Sequence, residues 1–193
     1  MNGETEKNLP TTEQLESELK RLKHRREYFR ILRNTISSLI VVAAVAVLLS
    51  MLLLPVLRVT GSSMTPSLQN DELVMCNKHS DINRGDIIAF YYNNKILLKR
   101  VIGVSGDEIE VKEDGTVYIN GEELDEPYLE EKTLGECDIE MPYQVPEQKV
   151  FVMGDHRSTS IDSRSSVVGC VSEEAIIGKV IFRLWPFKEI GKI

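Results

Sequence analysis

The chain has 193 residues, 42% hydrophobic and 27% charged, an ordinary composition for one globular domain of moderate size. Its net charge of −7 joins two regimes: a basic stretch from Lys20 to Arg33, with Glu27 its only acid, and a region from about Glu72 onward in which acids exceed bases. Nucleic-acid binding by the main domain would need a basic face, and that balance argues against it.

In chain order, the first predicted element is a helix in "TTEQLESELKRLKHRREYF". Thr11 with Gln14 resembles a capping box, and Leu15, Leu19, Leu22 and Phe29 recur at helical spacing. Two apolar heptad steps are too few for a coiled coil, so residues 1–35 are expected to be a solvated juxtamembrane segment whose cations lie near anionic membrane lipid. "ISSLIVVAAVAVLLSMLLLP", Ile36 to Pro55, carries no charge. As a helix it spans about 30 Å, the thickness of a hydrocarbon core. A cleaved signal peptide has an apolar region of only about 7–15 residues. Ala44-Val45-Ala46 imitates a cleavage site, but the apolar run continues past it to Leu54. Residues 36–55 are therefore expected to be a retained transmembrane helix. Because the basic flank precedes it, the N-terminus is expected in the cytoplasm and residues 56–193 outside the cell membrane.

After the anchor the period changes to two. "ELVMC", "DIIAFYY", "KILLKRVIGV", "DEIEVK", "TVYIN", "KVFVM" and "KVIFRLW" are short runs rich in Val, Ile, Phe and Tyr. Turn signals separate them: Asn70-Asp71, Arg84-Gly85-Asp86, Asn93-Asn94, Ser105-Gly106-Asp107, Asp114-Gly115 and Asn120-Gly121. This predicts a mainly β domain built of hairpins, with "SEEAIIG" its one short helix and residues 122–148 an acidic excursion without clear periodicity. Arg84-Gly85-Asp86 would suit an adhesion ligand, but a turn leading into a strand accounts for it.

Cys76, Cys137 and Cys170 are odd in number and form no C-x-x-C pair, and His24, His79 and His156 are scattered. No metal site and no cofactor is expected. Three other segments have chemical potential. "GSSMTPSL", Gly61 to Leu68, reads either as a linker leaving a membrane or as the setting of a reactive serine. In "KILLKRVIGV", Lys99 stands on one face between Leu97 and Val101, and Arg100 on the other between Leu98 and Ile102. A lysine buried there can lose its proton, whereas arginine stays charged; the bland expectation is that both reach the rim. "MGDHRSTSIDSR", Met153 to Arg164, packs acids and arginines closely enough to form charge-assisted pairs that fix a backbone.

Together these segments resemble the type I signal peptidases, membrane-anchored serine proteases with a serine–lysine dyad, and specifically their Gram-positive-like branch. The likeness rests on four motifs in order: Ser63-Met64-Thr65-Pro66, Arg84-Gly85-Asp86-Ile87, "KRVIGVSGD" from Lys99, and "GDHRSTSIDSR" from Gly154. It implies a signal-peptidase-type β domain of antiparallel sheets. It also implies Ser63 as nucleophile, its backbone N–H as an oxyanion donor, and Lys99 as general base. Met64, Pro66, Arg100, Asp155, Ser160, Asp162 and Arg164 become supporting residues by the same resemblance, and signal-peptide-bearing preproteins the substrates. Three departures stand out. Gly61 replaces a serine found in one branch, Ser105 a proline and His156 an asparagine. On this reading Gly61→Ser leaves activity near wild type or raises it modestly. Two alternatives are a specialised paralogue with few substrates, such as pilus subunits, or a non-cleaving assembly factor. A third is an anchored binding module with an inert β domain.

Overall fold

The structure, a computed structural model, describes residues 12–193. The chain falls into two compact units, Met1–Leu49 and Ser50–Ile193. The described residues of the first unit belong to one unbroken helix, α1 (Thr12–Leu53), which carries both the basic and the apolar stretch. No glycine or proline occurs between Thr12 and Leu53, so nothing interrupts the hydrogen-bond ladder until Pro55 restricts the residue before it. The juxtamembrane helix and the apolar helix expected from sequence are thus continuous. Thr11 of the expected capping box lies outside the described residues. Leu39, Val42 and Leu48 remain more than 60% exposed. Among the described residues α1 is the one helix long and apolar enough to cross a membrane.

In the second unit the strands are β1 (Val56–Arg58), β2 (Leu73–Asn77), β3 (Ile87–Tyr92), β4 (Lys95–Gly103), β5 (Glu108–Val111), β6 (Val117–Ile119), β7 (Glu122–Glu123) and β8 (Tyr143–Gln144). They continue with β9 (Lys149–Met153), β10 (Val171–Ser172), β11 (Ile176–Trp185) and β12 (Gly191–Lys192). Every pairing is antiparallel. The larger sheet has the order β1-β2-β11-β3-β4-β9-β10, with β12 also on β11, and the smaller has β7-β6-β5-β8. All seven predicted apolar runs lie in strands, and the mainly β expectation holds. Their turns depend on left-handed backbone: Asp71, Asn93 and Asn120 have φ of 72°, 51° and 53°. Asn and Asp tolerate that region better than other side-chain-bearing residues.

Two strands of the larger sheet are buried on both faces, which is why "IIAFYY" and "KVFVM" read as near-continuous apolar runs. Ile87 and Ala89 join a core cluster with Met64, Leu68 and Val74, while Ile88 and Phe90 join another with Val101, Val150 and Val152. From β9, Phe151 and Met153 face a third cluster with Ile102, Ile109 and Val117, which ties the smaller sheet to the larger. Asp107 strengthens that junction by accepting hydrogen bonds from Arg84 Nε at 2.8 Å and Asn120 Nδ2 at 3.0 Å. Arg84-Gly85-Asp86 is therefore a structural turn, with Asp86 paired to Lys179 at 2.7 Å.

Two predicted features change. "SEEAIIG" forms only a single 3-10 turn, Glu173–Ala175, and Ile176-Ile177-Gly178 open β11 instead. Ile177 is buried in the core, and Gly178 packs so closely on Asn77 that an added Cβ would lie 2.6 Å from its carbonyl oxygen. Tertiary pairing overrides the short helical signal. The acidic excursion is irregular in the middle, but its ends, Glu122–Glu123 and Tyr143–Gln144, pair into the smaller sheet. All three cysteines are unpaired; burial pushes the Cys76 thiol up to about 11.

Candidate active site

"GSSMTPSL" is a turn clamped at several points. Val59 N–H donates to Glu72 O at 2.8 Å and Asp71 N–H to Val59 O at 2.9 Å, closing its base. Met64 and Leu68, 2% and 0% exposed, pin its far side into the core one helical turn apart, with Leu68 N–H donating to Met64 O at 2.8 Å. Gly61 N–H donates to Asn70 Oδ1 at 2.8 Å, and Gly61 has φ of +92°. A side chain at that φ costs on the order of 1–2 kcal/mol, a backbone penalty that the sequence expectation for Gly61→Ser did not include. Pro66 is exposed and follows a cis peptide bond. Ser63 is half-buried, and among the described residues neither its hydroxyl nor its backbone N–H is engaged in a hydrogen bond.

Lys99 is 3% exposed and pairs across the sheet with Ile88, on the face it shares with Leu97 and Val101. Its Nζ donates to Ser160 Oγ at 2.8 Å. Burial takes its pKa from 10.5 down to about 8; Asp162 and Asp155 oppose that fall and Arg164 assists it. Arg100, on the opposite face, is only 12% exposed. The expectation that both cations reach the rim is corrected: loops cover both faces of β4 at this point. Arg100 gathers them, donating to Asp155 at 2.9 and 2.6 Å, to Gly85 O at 2.7 Å and to Ser67 Oγ at 3.0 Å. One side chain thus joins the Ser63 turn to the 154–164 loop.

That loop is held by buried charge. Arg164 and Asp162 are fully buried partners, with Arg164 Nε donating to Asp162 Oδ1 and Nη2 to Oδ2, each at 2.8 Å. Burial alone would raise the Asp162 carboxyl, but the Arg164 hydrogen bonds and charge hold it below the usual carboxylate range. Its Oδ2 also accepts from Gly154 N–H at 2.9 Å. At Gly154 an added Cβ would lie 2.2 Å from Ser160 Oγ and 2.5 Å from Ser63 O. This one backbone position therefore separates the serine's carbonyl from the lysine's hydroxyl partner, and only glycine fits. His156 N–H donates to Ser63 O at 3.1 Å. All nine residues expected from sequence, Ser63, Met64, Pro66, Lys99, Arg100, Asp155, Ser160, Asp162 and Arg164, lie in this cluster or on the turn attached to it.

Sequence reasoning gave four residues no site role, although Arg157 counted among the loop's acids and arginines. Gly154 stood inside a quoted motif, but its close approach depends on chains distant in sequence. Arg157, its guanidinium fully buried, pairs with the equally buried Glu126 and donates from Nε to Gly154 O at 3.2 Å. Tyr128 stacks under Arg100 at 4.0 Å. Glu126 and Tyr128 belong to the acidic excursion, where nothing local distinguishes a buried acid from a solvated one.

Beside Ser63 lies a groove of about 490 Å³ between residues 56–64 and Lys95–Leu98. Strand β9 pairs with β4 only from Arg100 onward, so among the described residues the backbone edge of Lys95–Leu98 has no strand on that side. An extended peptide can add to such an edge.

Residues 32–185 match the family described as Signal peptidase, peptidase S26. This chain belongs to the signal peptidase family. It is 38% identical over 151 residues to "Signal peptidase IB" of Staphylococcus aureus, covering 68% of this chain and 78% of that protein. It is 42% identical over 149 residues to "Signal peptidase I" of Bacillus caldolyticus, covering 69% and 80%. A solved signal peptidase I from Enterococcus faecalis is 34% identical with a TM-score of 0.43, covering 52% of this chain and 97% of its own. As a signal peptidase, the chain is a serine endopeptidase that processes signal peptides.

Proposed function

We propose that Ser63 and Lys99 form a catalytic dyad that removes signal peptides from preproteins at the membrane surface. The observation that carries this reading is the burial of Lys99, pKa about 8, against Ser160 and one glycine away from Ser63. An ordinary lysine is neutral about once in a thousand at pH 7.4; with a pKa near 8, roughly a fifth is neutral. Neutral Lys99 takes the Ser63 hydroxyl proton as the oxygen attacks the scissile carbonyl, and returns a proton to the departing amine. Water then opens the acyl-enzyme with Lys99 again as base. The unengaged Ser63 N–H faces the oxyanion. Ser160 holds the amine, Asp162 and Arg164 hold the loop that carries Ser160, and Arg100 with Asp155 fixes the nucleophile turn.

Residues 1–35, 36–55 and 56–193 act as cytoplasmic segment, membrane anchor and extracytoplasmic catalytic domain. A helix long and apolar enough to cross a membrane, its apolar window unburied, supports the anchor, and the basic residues before it support this orientation. Ser63 follows Pro55 by eight residues, so it stays within about 28 Å of the membrane face. No feature of the site favours a non-cleaving factor or an inert binding module. With detergent-solubilised enzyme and a preprotein, Ser63→Ala falls to background while Ser62→Ala keeps most activity. Lys99→Arg, unable to supply a neutral amine, is as inactive as Lys99→Ala. Substantial cleavage by Ser63→Ala or Lys99→Arg rejects the dyad.

A further inference from the structure

We propose that a second cavity, between Thr65, His156 and Glu130-Glu131, receives the first residues after the cleavage point and selects for a basic side chain there. The proposal rests on the proteolytic reading above. A polypeptide cut within its length occupies both sides of the reacting carbonyl. The 490 Å³ groove is built largely from residues that precede Ser63 together with Lys95–Leu98, and so takes one side. The nucleophile turn runs on to Thr65, which lines a separate cavity of about 350 Å³ with Glu130, Glu131, Thr133 and the 155–158 loop. The second cavity adjoins the serine through the backbone: His156, one of its walls, donates its N–H to Ser63 O at 3.1 Å. At about 3.3 Å per residue, two or three extended residues cross such a space.

The charges around it are of two kinds. Arg157 is fully buried and committed to Glu126 and Gly154 O, and Asp155 is committed to Arg100. Glu130 and Glu131 are exposed, and among the described residues neither takes part in an ion pair. The open charge of the cavity is therefore negative. The two acids sit on an anchored segment: Glu126 pairs with Arg157, Arg164 Nη1 donates to Leu134 O, and Thr133 packs on Gly115, where an added Cβ would lie 2.2 Å from its nitrogen. Two fixed carboxylates attract a lysine or arginine and repel an acid, each pair contributing modestly at this exposure.

The test uses full-length enzyme in detergent and preproteins that share one signal segment, with Lys, Ala or Glu at the first, second or third residue after the cut. At one or more positions kcat/KM for Lys should exceed that for Glu by about fivefold to tenfold at low salt, and the ratio should shrink as salt rises. In Glu130→Gln/Glu131→Gln the ratio should fall below about two, and in Glu130→Lys/Glu131→Lys it should invert. Ratios within one variant are independent of how much of it is folded. Equal cleavage of Lys and Glu substrates at all three positions overturns the subsite alone. A preference that survives the double Gln variant overturns the assignment to these acids. Failure of wild type to cut even the Ala substrate removes the proteolytic reading, and the subsite with it.

Discussion

At Lys99, strand register places an ammonium against Ile88, Leu97 and Val101, and the consequence is both chemical and energetic. The folded protein lowers the pKa from 10.5 to about 8, so between those values the unfolded chain holds more protons. Stability therefore rises with pH across this window, and below about pH 8 the whole penalty applies, at most about 3 kcal/mol. Lys99→Met removes it, at the loss of one hydrogen bond to Ser160. Urea denaturation at pH 7 should find the inactive variant more stable by about 1–3 kcal/mol, with the difference shrinking toward pH 10. The wild-type cleavage rate should rise with an apparent pKa near 8. A rate limb titrating only near the free-lysine value, or a variant less stable at pH 7, would refute the desolvated base.

At the scale of elements, the groups of the proposed dyad are positioned less by strands than by loops bound to them. Strand β4 carries Lys99 and Arg100 on opposite faces, and each face is closed by a different loop contact: Ser160 over one, Asp155 with Ser67 over the other. The excursion braces this arrangement through Glu126 and Arg157. Glu126→Gln leaves a buried guanidinium without its counter-charge, a loss of about 3–5 kcal/mol. Replacing both partners, in Glu126→Gln/Arg157→Met, removes the unpaired charge and should cost less than Glu126→Gln alone. Chemical denaturation of the three proteins checks this ordering; a double variant less stable than the single one would contradict it.

At the scale of the whole molecule, one apolar helix precedes a mainly β catalytic unit, and the charge asymmetry along the chain sets the expected topology. In the proposed topology the basic residues from Lys20 to Arg33 stay on the cytoplasmic side and the acidic domain faces outward. Protease added to intact cells or spheroplasts should reach residues after Pro55 and spare the segment before Ile36. An N-terminus that is digested while the β domain is protected would reverse the orientation.

Strand positions, turns and the apolar helix were legible in sequence because each rests on local physics: period-two patterning, Asn and Gly where φ is positive, and an uncharged run of bilayer length. The motifs around Ser63 and Lys99 made these the candidate reactive residues for the same reason, being short and contiguous. What covers a face is a different matter. Alternation put Lys99 and Arg100 on opposite sides of a strand but left open whether either side met water; Lys99 is buried and Arg100 mostly covered. "SEEAIIG" has helical composition, yet pairing with β2 and β3 makes most of it strand. Glu126 looks like any solvated acid until the fold sets it on Arg157, 31 residues away. Periodicity encodes which way a side chain points; only contacts between distant segments decide whether water, core or counter-charge receives it.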